Sequence, residues 1–327
     1  MWTLVGLPTQ RAAAEGSLTL SRVKPRPFRF GVSGGRATRA EWLDLARKAD
    51  DLGYSTLLLP DHFGRQMAPL PALLAAAMLT PRLRVGTIVL DNDFRHPALL
   101  AKEAATIDLM TDGRFELGIG AGWMEADYRH SGLPFDTPGV RVARLTEAVQ
   151  ILKAFFTGEG PVTLQGRFYR VEALETFPRA RPRILIAGSR RRMLELAARE
   201  ADIVGLEDHQ FAERATGSTS ISIADSAEQV AIVREAAGSR LADLELNVFA
   251  ARTEVTDNRA AAVQRMSDQL GLTPAQVETS ASFLLGSVEA IVHRLQERRE
   301  RLGISYVMVF DRVMEAFAPV VARLSGS

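Results

Sequence analysis

LRVGTIVLDNDFRHPALLAKEAATIDLMTDGRFELGIGAGW, residues 83–123, carries three elements in succession. Residues 83–90 form a short apolar run that reads as a buried strand, and 97–110 repeat apolar side chains at helical spacing. Thr111-Asp112-Gly113 then supplies a turn before a second strand over 114–119. Strand, helix and strand within about forty residues favour parallel pairing through a crossover helix. The second strand runs into Gly118-Ile119-Gly120-Ala121-Gly122-Trp123. Small residues there clear room at the C-terminal edge of a sheet, where α/β proteins bind ligands. The expectation is a cofactor-binding α/β enzyme whose glycines let the backbone approach a flat ligand, with tight turn packing as the alternative. The tract lacks the G-x-G-x-x-G spacing of a dinucleotide fingerprint, and no P-loop lysine and hydroxyl follow it.

Outward from this stretch the same alternation continues. Strand candidates begin near 28, 54, 83, 114, 183, 202, 244 and 305, with helical segments between most of them. Eight βα units match a closed parallel barrel, although an open doubly wound sheet could hold the same elements. After the helix predicted over 138–156, residues 157–182 hold a small hairpin and several prolines and arginines. This excursion follows the fourth unit and is expected to shape a pocket. Thr38 with Glu41, Asp225 with Glu228, and Thr273-Pro274 with Gln276 have the spacing of helix caps.

Three places carry candidate chemistry. Asp61-His62 closes the second strand, so a carboxylate and an imidazole stand where a barrel presents its site. The loop 91–97 is long and polar, and its Arg95 and His96 could meet an anionic or hydroxylated ligand. Gly188-Ser189 lies between a strand and a helix start, where backbone N–H groups, a hydroxyl and the helix dipole together suit a phosphate. Residues 207–222 read as a loose polar loop on the ligand side.

Forty basic and thirty-nine acidic residues nearly cancel, which gives no global field for nucleic acid or an anionic membrane. Apolar runs fall short of the roughly 20 residues that span a bilayer. Cysteine is absent, so disulfides, thiolate nucleophiles and cysteine-held metals are excluded and a cytoplasmic setting is expected. No clustered His and carboxylate ligands suggest a metal site. Residues 1–27 lack a sustained signal-peptide core and read as a loosely ordered leader before a single domain, 28–327.

The chain resembles the luciferase-like monooxygenase superfamily, and within it the branch of probable coenzyme F420-dependent oxidoreductases. The resemblance rests on RLRVGTIVL at 82–90, the tract at 95–123, GRFYRVE at 166–172, ILIAGS at 184–189 and YVMVFDRVMEAFAPVVARL at 306–324. It implies a TIM (β/α)8 barrel with the insertion after the fourth βα unit, a homodimer, and a flavin-like ring at the C-terminal mouth. On this sequence it implies that Asp61 and His62 contact the ring or place substrate over it, and that a non-prolyl cis bond near Ile88-Val89 backs the ring. Thr87, Ile88, Val89, Gly120, Ala121 and Gly122 would line it, Gly188 and Ser189 would hold the phosphate, and Phe63, Arg95, His96 and Trp123 would face a small-molecule substrate. His62 is then the candidate general acid, or orients a carbonyl or alcohol, and Asp61 positions the ring or tunes His62. Two other readings stand beside F420 hydride transfer: an FMN-dependent monooxygenase, and a non-catalytic barrel acting as a binding module.

Overall fold

A computed structural model describes residues 25–36, 38–207 and 225–327. Both the leader up to 24 and most of the loop expected over 207–222 lie outside the described residues. The strands are β1 (Arg29–Ser33), β2 (Thr56–Leu59), β3 (Arg84–Thr87), β4 (Leu90–Asp91), β5 (Phe115–Gly120), β6 (Val162–Gln165), β7 (Arg170–Leu174), β8 (Arg183–Gly188), β9 (Ile203–Leu206), β10 (Glu245–Phe249), β11 (Arg252–Val255), β12 (Phe283–Gly286) and β13 (Ile304–Phe310). Parallel pairing runs β3-β2-β1-β13-β10-β9-β8-β5, and β3 closes on β5 through Val85 opposite Phe115 and Gly86 opposite Glu116. Every expected barrel strand is present, and closure excludes the open sheet.

Alternation of side chains divides the strands between two cores, because successive residues point to opposite faces. Leu57, Leu59, Val204, Leu206, Val307 and Val309 pack outward under the helices. Leu58, Leu185, Ala187, Ile203, Tyr306 and Met308 fill the barrel interior. Burial on both faces explains why these strands read as continuous apolar runs.

The N-terminal end of the barrel is closed by fixed charge. Arg29 donates from Nε and an Nη to the two oxygens of Glu245, at 2.6 and 2.9 Å, and from its other Nη to Glu116 at 2.7 Å. Arg84 donates to Glu116 at 2.9 Å, Arg183 pairs with Glu245 at 2.9 Å, and the Tyr306 hydroxyl donates to Glu116 at 3.3 Å. Burial alone would raise the Glu116 carboxyl, but the guanidiniums of Arg29, Arg84 and Arg183 outweigh it and hold the group below its ordinary range.

Helices α1 (Arg39–Asp51), α2 (Pro69–Leu79), α3 (Pro97–Met110), α4 (Glu125–Ser131), α5 (Pro138–Thr157), α6 (Arg191–Glu200), α7 (Ser226–Ala237), α8 (Arg259–Leu270), α9 (Pro274–Thr279), α10 (Val288–Leu302) and α11 (Met314–Leu324) complete the described elements. The boxes at Thr38/Glu41 and Thr273/Gln276 form in full, and Asp225 caps α7 through the Ala227 N–H. The excursion after α5 is an antiparallel hairpin, β6 with β7. A second excursion follows β10; its helix start at Thr273 is as expected, but its paired strands have no counterpart in the sequence reading. There β11 pairs in parallel with β12, while α8 and α9 build a small core of Val263, Leu270, Val277, Phe283 and Leu285. Four-residue strands whose partners lie thirty positions apart leave no local period to detect. No helix among the described residues is long and apolar enough to cross a membrane.

Candidate active site at the barrel mouth

The expected strand over 83–90 is interrupted. β3 pairs with β5 up to Gly86 opposite Glu116, and pairing resumes at Leu90 opposite Ile119. Thr87, Ile88 and Val89 therefore oppose only Leu117 and Gly118, a bulge of one residue. Thr87 mends the ladder: its hydroxyl donates to the Gly118 carbonyl at 2.7 Å and accepts the Gly118 N–H at 2.9 Å. Its side chain is fully buried and committed to the backbone, so of the three residues only Ile88 and Val89 offer surface to a ligand. The Ile88–Val89 peptide bond is cis, at the position the resemblance implies. Ile88, Val89 and Phe249 lie half-buried on the packed interior cluster and form an apolar floor at the C-terminal mouth. That floor suits one face of a planar heterocycle.

Gly118 and Gly120 leave room for the bulge, and Gly122 leaves room for Tyr128 and Asp91. A Cβ on Gly118 would overlap the Thr87 carbonyl oxygen, and one on Gly120 would fall 2.7 Å from a Val89 methyl. Gly122 has φ of +74°, and a Cβ there would collide with the Tyr128 hydroxyl and the Asp91 carboxylate. Tight packing, the alternative use, is present at all three. Gly120 is buried, whereas Ala121 and Gly122 stay half-exposed at the rim.

His62 sits at the rim with 26% of its side chain exposed, and its Nδ1 lies 2.7 Å from Asp127 Oδ2. The other Asp127 oxygen accepts the Phe63 N–H at 3.2 Å. Trp123 meets the imidazole edge-on, with ring centroids 5.7 Å apart. Asp61 is not the partner of His62. Arg95 grips it with both terminal nitrogens, one at 3.2 Å, and the Asp91 N–H donates to it at 3.3 Å. Arg95 is thereby neutralised instead of being presented to an anion. His96 caps α3, its Nδ1 accepting the Ala98 N–H at 3.2 Å, and packs edge-on against Tyr169. Phe63 is 55% exposed and packs tilted against Phe94, ring centroids 4.8 Å apart.

Behind the rim lies a carboxylate network that sequence reading did not find. Tyr128 donates to Asp91 at 2.9 Å and to Asp93 at 3.1 Å, and Arg144 donates to Asp93 at 2.7 Å. Burial pushes the Asp91 carboxyl up to about 6; the hydrogen bonds from Asp93 N–H and Tyr128 work against this, and the neighbouring charges of Asp93 and Asp61 add to it. The insertion is tied into the same network. Glu147 on α5 accepts the N–H groups of Arg167, Phe168 and Tyr169, and the Tyr169 hydroxyl meets Asn92 Nδ2 at 3.1 Å. Contacts spanning 20 to 77 residues tie the hairpin to α5 and to the loop after β4.

On the opposite side, β8 ends at Gly188 and α6 starts at Arg191 with Arg190 as an N-cap that lacks a side-chain hydrogen bond. Gly188 is buried, and a Cβ there would press on Met193 at 2.6 Å. Ser189 remains half-exposed. Gln229 of α7 is buried and donates to the carbonyls of Ser189 and Glu207, at 3.3 and 2.7 Å, fixing the loops after β8 and β9 together. An apolar floor, an oriented imidazole and a helix start whose N-cap makes no side-chain hydrogen bond among the described residues fit a planar ring carrying a phosphate.

Among relatives, 35% identity over 190 residues links the chain to an F420-dependent glucose-6-phosphate dehydrogenase of Nakamurella multipartita, covering 54% of this chain and 56% of the relative. Identity is also 35% over 126 residues to a 4-hydroxyprotoasukamycin monooxygenase of Streptomyces nodosus subsp. asukaensis, covering 37% and 33% of the two chains. The chain thus spans between a third and just over half the length of these curated relatives. In fold it is similar to the coenzyme F420-dependent tetrahydromethanopterin reductase of Methanopyrus kandleri, with a TM-score of 0.70, 17% identity, and coverage of 91% of this chain and 98% of that one. Residues 25–320 match the luciferase-like monooxygenase family, and with nearly the whole barrel inside that match the chain belongs to it.

Proposed function

We propose that this protein is an oxidoreductase that transfers hydride between coenzyme F420 and a small organic substrate. The observation that carries the reading is the half-exposed apolar floor of Ile88, Val89 and Phe249, with His62 on the loop after the neighbouring strand β2, whose Leu59 carbonyl accepts the Ile88 N–H. When bound, F420 would supply the hydride acceptor or donor. Ile88 and Val89 would back its ring, Asp61, Ala121 and Gly122 would border it, and Ser189 with the α6 start would hold its phosphate. Asp61 enters this role as an ion pair with Arg95, which gives it a positioning part. His62 would exchange a proton with the substrate oxygen, and Phe63 and Trp123 would wall the substrate side. The likeness to F420-dependent glucose-6-phosphate dehydrogenases supports this reading.

An FMN-dependent monooxygenase is the second reading, favoured by the likeness to a monooxygenase. Titrating the protein separately with F420 and FMN, while following ring fluorescence, decides between them. Micromolar F420 binding with oxygen-independent turnover is expected; tight FMN binding with oxygen consumption would transfer the assignment to the second reading. Binding of neither ring would leave a non-catalytic barrel.

The catalytic unit proposed is the barrel of 28–327, acting in the cytoplasm as a homodimer. The dimer is supported by α2, PLPALLAAAML, which has no polar side chain yet exposes Pro71, Ala75, Met78 (61%) and Leu79 (36%) along one stripe. A helix apolar all round is normally covered. Light scattering should give twice the chain mass, and Met78→Glu should shift it towards the monomer.

A further inference from the structure

We infer that Asp127 is the positioning residue for His62, and that it fixes the proton on Nδ1 so that Nε2 faces the mouth as an acceptor. The role rests on the oxidoreductase reading above, but the geometry stands apart from it. Asp127 is buried, with 7% of its side chain exposed, and spends each oxygen on one of two consecutive residues. Oδ2 meets the His62 ring and Oδ1 accepts the Phe63 N–H. One carboxylate on the loop-proximal helix after β5 therefore holds both the imidazole and the backbone of the loop after β2.

The tautomer follows from donor and acceptor chemistry. An ionised carboxylate only accepts, so the ring nitrogen facing it at 2.7 Å carries the proton. In the neutral imidazole the lone pair is then left on Nε2. Trp123, packed edge-on, restrains the ring from a second side. In the proposed reaction Nε2 accepts the proton of a substrate hydroxyl as its carbon gives up hydride, and returns it to the carbonyl oxygen in the reverse direction. Asp61, adjacent in sequence, cannot replace Asp127, because Arg95 occupies both its oxygens.

Nitrogen NMR of protein carrying 15N-labelled histidine tests this without a substrate, with His62→Gln identifying the resonance. Wild type is expected to show His62 protonated at Nδ1 in its neutral form. In Asp127→Asn the amide oxygen keeps the Phe63 N–H and its NH2 turns to Nδ1, so the proton moves to Nε2. Asp127→Glu, which retains the charge, should restore Nδ1. With the cofactor that the titration selects, Asp127→Asn should lower kcat about 10²–10⁴-fold and leave cofactor Kd within about twofold. A wild-type His62 protonated at Nε2 would overturn the proposal even if the asparagine variant fails to fold. So would an unchanged tautomer in Asp127→Asn. Failure of the protein to bind either ring would remove the reaction, while the tautomer would still decide the role of Asp127.

Discussion

The two ends of the barrel use charge in opposite ways. At the N-terminal end Arg29, Arg84 and Arg183 surround Glu116 and Glu245, and the carboxylates are almost fully buried with every charge answered. At the C-terminal end Asp91 is buried with no cationic partner in contact among the described residues, held by a tyrosine and a backbone N–H, while 26% of the His62 side chain is exposed. The lower end locks its carboxylates into ion pairs, and the upper end leaves the Asp91 carboxyl raised by burial. A barrel closed at one end by ion pairs can leave the other end to chemistry.

Substitutions at each end should therefore have different signatures. Glu116→Gln should lower stability by about 3–5 kcal/mol in chemical denaturation, because it leaves buried guanidiniums partly unanswered. Since the folded-state Glu116 carboxyl is depressed, its stabilisation is complete above the ordinary carboxylate range and is lost as pH falls through the lower folded value. The acid limb of wild-type unfolding should thus be steeper than that of the variant. An unchanged denaturation midpoint would erase the contrast between the ends.

His62→Ala at the mouth should reduce kcat about 10²–10⁴-fold with stability changed by less than about 1 kcal/mol. Full turnover with normal cofactor binding would remove His62 from the mechanism. Asp91→Asn should act through pH. A folded value of about 6 against an ordinary value of 3.8 means the native state binds this proton more tightly, so wild-type stability from this group falls as pH rises from about 4 to 6. Asparagine keeps the acceptor for Tyr128 and should raise stability at pH 8 by about 3 kcal/mol, with little change at pH 4. Equal effects at both pH values would show that the proton is not involved. The smallest effect is expected for Glu147→Gln, about 1–2 kcal/mol, because three backbone N–H groups lose a charged acceptor. Loss of that tie should also raise substrate KM more than it lowers kcat.

Local signals made the elements of the barrel legible. Apolar runs, cap residues such as Thr38 and Thr273, and turn glycines act within a few positions of one another, so a linear reading finds them. The same reading placed Asp61-His62 and Gly188-Ser189 at the ends of strong strands, whereas the Ile88–Val89 position came only from the family resemblance. It misassigned partners. Asp61 belongs to Arg95, and the carboxylate beside His62 comes from Asp127, sixty-five positions later, on a seven-residue helix with no periodic signature. It also missed Glu116 and Glu245, because a charge within an apolar strand declares nothing about which strand will face it.

Sequence alone determined which segments become strands and helices, since that depends on side-chain period and on capping within single turns. Closure of the barrel, the pairing of Asp127 with His62, and the gathering of Asp91, Asp93, Tyr128, Arg144 and Asn92 with Tyr169 were decided only by tertiary structure. Those contacts join residues that are remote along the chain, and hydrogen bonds and charge pairs act over a few ångströms of space whatever the distance in sequence.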